Sequence, residues 1–379
     1  MKKIAFVTTV SLTVRAFILP VVRYLRAHTD WELTIICDDD PQLSECLPEG
    51  VRYIPISMKR GISVTGIRSV LEMAKLFRKE KFDLVQYSTP NAAFYAAIAS
   101  WSARIPNRKY HLMGFRYLGF SGAKKALFKC IEKLACSLST DIECVSVSNL
   151  ELGVAEGVFP RKKVSVLFHG SSAGVDLSRF DIAKKALWRA GSRARYGYED
   201  ENVVFGFAGR ITGDKGINEL LSAFDQLDVP DARLFIVGDI EDAASLDQAK
   251  MDQAKSDDKI IFHDHVTDIE RYFAMMDVLV LPSYREGFGN IVIEAQAMGV
   301  PVIVSDIPGP TDAMLPGVTG LTVPVKDIPA LKKAMEKMAS DRSGREGMGK
   351  RGRLFVEERF DQRKLCAAIL HDRKNLLKG

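Results

Sequence analysis

Short apolar runs and amphipathic stretches alternate along most of this 379-residue chain. Ile4 to Thr9, Trp31 to Cys37, Asp83 to Ser88, Arg108 to Met113, Ile142 to Ser146 and Val164 to Phe168 have the length and Val/Ile content of buried strands. Between them Phe17 to Ala27, Val70 to Lys79, Asn91 to Trp101 and Lys124 to Cys136 have helical spacing. The pattern resumes with strands predicted over Val203 to Arg210, Lys259 to Phe262 and Met276 to Ser283, and with helices over Ile217 to Phe224 and Ile291 to Gly299. A terminal helix is expected from Gln362 to Leu377. Strands alternating with helices build parallel sheets covered on both faces. The length exceeds what one hydrophobic core usually serves. The expected fold is therefore α/β, with two doubly wound parallel-sheet domains.

The segment Glu286-Gly-Phe-Gly-Asn-Ile-Val-Ile-Glu294 carries the most chemistry. It joins a predicted strand to a predicted helix, so Gly287 to Asn290 form the turn between them. Glycines let backbone approach a ligand closely, and the helix N-terminus favours an anion such as a diphosphate. Glu294, about two turns into the helix, suits a ribose diol, and Glu286, at the strand end, suits the group attached to the diphosphate. By themselves the two glutamates could equally be a capping charge and a solvated helix residue. A second strand ends at Gly209-Arg210, with Lys215-Gly216 just before its helix. Cations at that position make a phosphate clamp in the crevice where open α/β sheets bind ligands.

Phe207-Ala-Gly-Arg210, Lys215-Gly216, Leu281-Pro-Ser283, Glu286-Gly-Phe-Gly289, Glu294-Ala-Gln-Ala-Met-Gly299, Pro301-Val-Ile-Val304 and Gly317-Val-Thr-Gly320 occur in this order. In these motifs the chain resembles the family-4 retaining glycosyltransferases of GT-B fold. Its first half is more loosely similar to the bacterial members that extend lipid-linked sugars for capsule, O-antigen or glycoprotein glycans. The resemblance implies two Rossmann-like domains facing across a cleft: an acceptor domain over 1–175, rejoined by a terminal helix within 358–379, and a donor domain over 176–357. Gly174-Val-Asp176-Leu-Ser-Arg-Phe180 resembles the hinge between them.

The implied reaction moves a sugar, with retention, from a nucleotide-sugar, expected to be a UDP-sugar, to a polyprenyl-diphosphate-linked glycan. Arg210, Lys215 and Glu286 are the expected catalytic residues. Gly209, Val266, Gly287, Phe288, Gly289, Asn290, Ile291 and Glu294 are the expected donor contacts. No metal and no cofactor is expected, because fixed positive groups do the cation's work. Two other readings share the site, a nucleotide-sugar epimerase or hydrolase and a non-catalytic accessory protein.

The first half departs from the family. Many relatives place a histidine before a glycine at the end of one strand, where this chain has Met113-Gly114. His111 lies two residues away, on the same strand face as Met113. Arg116 is the better candidate for phosphate or acceptor diphosphate. Thr8 to Leu12, including Thr9, replaces the glycine-rich loop of many relatives. His169 either lines the cleft or is a satisfied structural histidine.

Charge changes the picture in one respect. The net charge is +5, but residues 1–172 carry 24 Lys/Arg against 15 Asp/Glu. Basicity concentrated there suits anionic headgroups or a lipid diphosphate, or simply solubility. The Lys124 to Cys136 helix sets Leu127, Ile131 and Leu134 in one stripe with Lys124, Lys125, Lys129 and Lys133 around it. That stripe fits either a membrane surface or the protein's own core. No apolar run is long enough to span a bilayer, and no signal-peptide cleavage pattern follows the N-terminus. The six cysteines show no metal-binding or paired spacing and read as free thiols. Asp38-Asp39-Asp40 reads as a solvated loop, and His263 and His265 lack a third metal ligand. The expected protein is cytoplasmic and peripherally membrane-associated, with no nucleic-acid partner.

Overall fold

The computed structural model describes residues 1–58 and 64–378. The chain divides into two units, residues 1–173 with 362–379, and residues 174–361. The first boundary falls two residues before the expected one. The second falls later, because the helix Arg342–Arg359 stays with the second unit and the returning segment starts at Gln362.

The first unit holds a seven-stranded sheet built from β1 (Lys3–Val7), β2 (Glu32–Cys37), β3 (Arg52–Pro55), β4 (Leu84–Ser88), β5 (Asn107–Leu112), β6 (Asp141–Cys144) and β7 (Val164–Ser165), in spatial order β3-β2-β1-β4-β5-β6-β7. All its pairings are parallel. The order reverses between β1 and β4, and ligands of open α/β sheets sit at the carboxyl ends of strands at such a point. At that end Thr89 has a φ of 68°, costly for a β-branched residue. Its hydroxyl lies 2.8 Å from that of Thr9 and accepts from the Thr9 N–H at 3.2 Å.

The terminal helix Gln362–Leu376 packs Leu365, Cys366, Ile369 and Leu370 into the core formed by β1, β2 and the helix Leu19–His28. Its polar side is pinned by buried charge. Arg373, 1% exposed, donates to Glu143 at 2.7 Å and to Gln86 at 2.8 Å, and also to Asp372. Lys109, fully buried, pairs with Asp141, with Asp372 at 3.0 Å and with Glu143 at 3.5 Å. Burial pushes the Glu143 carboxyl up, but Arg373, the His111 hydrogen bond and Lys109 outweigh it and hold it well below the usual carboxylate range.

The second unit holds β8 (Val203–Ala208), β9 (Ala232–Val237), β10 (Ile260–His263), β11 (Val278–Leu281), β12 (Val302–Ser305) and β13 (Gly320–Val323), all parallel, in order β10-β9-β8-β11-β12-β13. β8 and β11 are buried along their whole length, which explains why they read as continuous apolar runs rather than alternating ones. The strand order reverses between them. Their two following loops therefore lie side by side.

Candidate functional site

The loop after β8 ends in a short turn, Gly213–Lys215, and Gly216 then caps the helix Ile217–Asp225. Gly216 has a φ of 74°, and a Cβ there would fall 2.1 Å from the Pro282 carbonyl oxygen. Only glycine lets the two loops pack this closely. Lys215 thereby reaches across the β8/β11 reversal and donates to Glu286 Oε1 at 2.5 Å, with both side chains largely buried. Glu286 lies five residues beyond the last residue of β11, within the loop rather than at the strand end.

Gly289 follows with a φ of 84° as the N-cap of the helix Asn290–Ala297, and it has no side chain with which to cap that turn. Gly287, Asn290 and Ile291 lie half-buried around it. Phe288 is 2% exposed and packs against Phe360 with ring centroids 5.3 Å apart. Glu294 is one turn into the helix, not two, because the helix starts at Asn290. Burial pushes its carboxyl up to about 7, Glu270 adds to the rise, and Arg179 opposes it. Arg179 is fixed by Glu270 at 2.9 Å and by the Thr267 carbonyl at 2.7 Å, next to Val266 in the loop after β10.

Arg210 follows Gly209 at the end of β8, half-exposed, and donates to Glu241 at 3.0 Å. Exposed pairs of this kind are worth about 0–1 kcal/mol and are readily exchanged for another anion. Arg210 and Lys215 thus hold different carboxylates, yet both act on Asp214. Burial pushes the Asp214 carboxyl up. The Thr212 hydroxyl and the charges of Arg285, Lys215 and Arg210 outweigh burial and hold it below the usual carboxylate range.

The candidates of the first unit are scattered. Thr9 is tied to Thr89 beside the β1/β4 reversal, and Met113 and Gly114 follow the end of β5, half-buried. His111 is 3% exposed, and its Nδ1 lies 3.0 Å from Glu143, so it belongs to the buried charge network rather than to the ligand end of the strand. Arg116 donates to Asn91 at 2.8 Å and lies over the Phe128 ring at 4.7 Å. His169 is exposed, with its ring edge-on to Phe168.

The helix expected over Lys124 to Cys136 runs Gly122–Leu138, and its apolar stripe divides, with Ile131 half-buried. Glu132, Ala135 and Cys136 face the core. Leu127 is 53% and Leu134 43% exposed. Phe128 stacks on Phe120 at 4.7 Å, with Arg116 over the first ring and Lys124 over the second. Among the described residues, no helix is long and apolar enough to cross a membrane.

Residues 189–355 match the model of glycosyl transferases group 1, and residues 3–146 match that of glycosyl transferase 4-like proteins. The capsular polysaccharide biosynthesis glycosyltransferase CapM of Staphylococcus aureus is 32% identical over 342 residues, covering 89% of this chain and 88% of that protein. This chain belongs to the family-4 glycosyltransferases. The family member of Escherichia coli named UDP-Gal:alpha-D-GlcNAc-diphosphoundecaprenol alpha-1,3-galactosyltransferase is 24% identical over 332 residues, covering 84% and 82% of the two chains. Among solved structures, sucrose-phosphate synthase from Thermosynechococcus elongatus superposes with a TM-score of 0.81 at 19% identity over the whole of both chains. Anabaena HepE, in complex with UDP-glucose, gives 0.79 at 18% identity over 99% of this chain and 100% of that one. The fold is GT-B, and the chain is a glycosyltransferase of bacterial surface or lipid-linked polysaccharide synthesis.

In this glycosyltransferase the sequence motifs alone do not single out Asp214, Arg285 and Arg179. Each is a charged residue one step from a recognised motif or inside the hinge-like loop, and position in the chain gave no sign of what it would touch.

The raised Glu294 gives a pH dependence. In the ribose-binding role expected for Glu294 from the sequence, a diol would donate hydrogen bonds to the carboxylate, so proton loss would have to precede binding. With a starting pKa near 7, affinity for a nucleoside diphosphate at pH 8 should exceed that at pH 6 by about tenfold. Titration calorimetry on Glu294→Gln should show this dependence flattened. A slope unchanged from wild type would assign it to another group.

Proposed function

We propose that this glycosyltransferase moves a sugar from a UDP-sugar to a polyprenyl-diphosphate-linked glycan, with retention of the anomeric configuration and without a metal ion. The observation that carries the reading is the Lys215–Glu286 pair beside the glycine-capped helix N-terminus at the β8/β11 reversal. Lys215, Arg210 and the backbone of 287–290 would receive the negative charge that develops on the diphosphate as the anomeric C–O bond breaks. Glu286, released from Lys215, would accept hydrogen bonds from the sugar hydroxyls, and Glu294 from the ribose, with Val266 beside the base. The attacking hydroxyl's proton would pass to the departing phosphate oxygen. Uridine as the base draws support from the names of the Escherichia coli relative and the HepE complex.

On the acceptor side, the outward Leu127 and Leu134 and the Lys124–Phe120–Phe128–Arg116 stack support contact with an anionic membrane surface and a lipid diphosphate. Replacing both leucines with serine should weaken binding to vesicles containing phosphatidylglycerol by at least about tenfold, the scale of two partly buried leucines. Equal co-sedimentation of variant and wild type would remove the membrane from this account.

The reaction itself is tested by incubating the protein in EDTA with labelled UDP-hexoses and UDP-N-acetylhexosamines, together with undecaprenyl-diphosphate-linked N-acetylglucosamine. Label should enter the lipid extract from one donor. Free sugar or an epimer formed regardless of acceptor would replace transfer with hydrolysis or epimerisation.

A further inference from the structure

The residues next to the Lys215–Glu286 pair form a second bridge between the same two loops. Asp214 precedes Lys215, and Arg285 precedes Glu286. Arg285 Nη2 lies 2.8 Å from Asp214 Oδ2. The other Asp214 oxygen, Oδ1, accepts from the Thr212 hydroxyl at 2.6 Å, and the Asp214 carbonyl accepts from the Tyr284 N–H at 2.9 Å. The two loops are thus closed by a backbone hydrogen bond and two ion pairs of opposite polarity. One loop reads acid then base, the other base then acid.

The two pairs differ in what a ligand does to them. A diphosphate that takes the Lys215 ammonium must draw it away from Glu286, so the first pair opens when the site fills. Asp214 and Arg285 point to each other and keep the loops joined at that moment. Side-chain exposures of 31% and 38% make this pair a weak contributor to overall stability, so its value lies in geometry.

We propose that Asp214 and Arg285 are positioning residues: their bridge holds the Lys215 and Glu286 loops in register while Lys215 exchanges its carboxylate partner for the terminal phosphate of a nucleoside diphosphate. The inference rests on the donor-clamp reading above. It predicts loss of terminal-phosphate recognition without loss of fold.

The test measures binding of UDP, UMP and inorganic pyrophosphate by titration calorimetry to the full chain and to Asp214→Asn, Arg285→Gln, the double variant and Arg285→Lys, with melting temperatures alongside. UDP and pyrophosphate should bind about tenfold more weakly to each neutral variant, the scale of one charge-assisted contact. UMP affinity and melting temperature should hardly change. The double variant should be no worse than either single one, since both remove the same bridge, and Arg285→Lys should recover most of the loss. Wild-type affinity for UDP and pyrophosphate in the neutral variants overturns the proposal. Parallel losses of UMP affinity and melting temperature also overturn it, as the pair would then be structural. A wild-type protein that binds neither UDP nor pyrophosphate overturns the donor clamp, and the positioning role with it. If wild type binds pyrophosphate but not UDP, only uridine is lost, and the variants' pyrophosphate affinities decide the positioning role.

Discussion

Lys215→Ala is expected to lower turnover by at least about a hundredfold, the effect of deleting one preorganised group facing developing negative charge. The structure adds a reason for a loss of this size. Lys215 and Glu286 are mutual partners in a largely buried pair, so the variant also leaves a carboxylate beside the proposed diphosphate site with its cation gone. Repulsion between that carboxylate and the leaving group then adds to the missing attraction. Lys215→Ala combined with Glu286→Gln should regain part of the donor affinity but little of the turnover, since the amide removes the repulsion without supplying a cation. Initial rates at saturating donor distinguish the two effects. A single variant within about threefold of wild-type turnover, far from the loss expected for a preorganised donor, would exclude Lys215 from the chemistry.

Arg373→Met is expected to destabilise the first unit by about 3–5 kcal/mol, the range for removing one partner of a buried ion pair. Arg373 is the strongest charge holding Glu143 ionised, and it bonds both Glu143 and Gln86. The stabilisation from the depressed Glu143 carboxyl is present at neutral pH and is lost only as pH falls through its low folded value. The difference between wild type and variant should therefore be full at pH 7 and shrink in acid. Glu143→Gln combined with Arg373→Met should regain at least half the loss, because the double change also removes the carboxylate that has lost its strongest partner. Denaturant unfolding followed by two probes reads this directly. A single variant as stable as wild type would mean that apolar packing of the helix, through Leu365, Ile369 and Leu370, holds it unaided.

The contrast between these sites explains how much was legible in the chain. The parallel sheets were readable because buried parallel strands are continuous apolar runs, and the loops after β8 and β11 because their residues are local: Lys215 and Glu286 each sit within a few positions of a glycine. Strand ends were set less well. The expected strands run on to Arg210 and Ser283, whereas β8 stops at Ala208 and β11 at Leu281. β9 carries a weaker signal, since Arg233 interrupts the otherwise buried run Ala232–Val237. The Arg373 network was invisible because its members lie up to 287 positions apart, and spacing carries no signal at that range. The outward turn of Leu127 and Leu134 was undecided for a different reason. An amphipathic pattern has the same period whichever way its apolar stripe faces.

The central claim is that a fixed ammonium, not a bound metal ion, grips the diphosphate between the β8 and β11 loops. Titration of UDP in EDTA into wild type and Lys215→Ala tests it most directly. The account predicts a measurable binding heat for wild type in the chelator and at least about tenfold weaker binding for the variant, the scale of one charged hydrogen bond. Binding that appears only when Mg²⁺ or Mn²⁺ is supplied, or equal affinity in the two proteins, would contradict it.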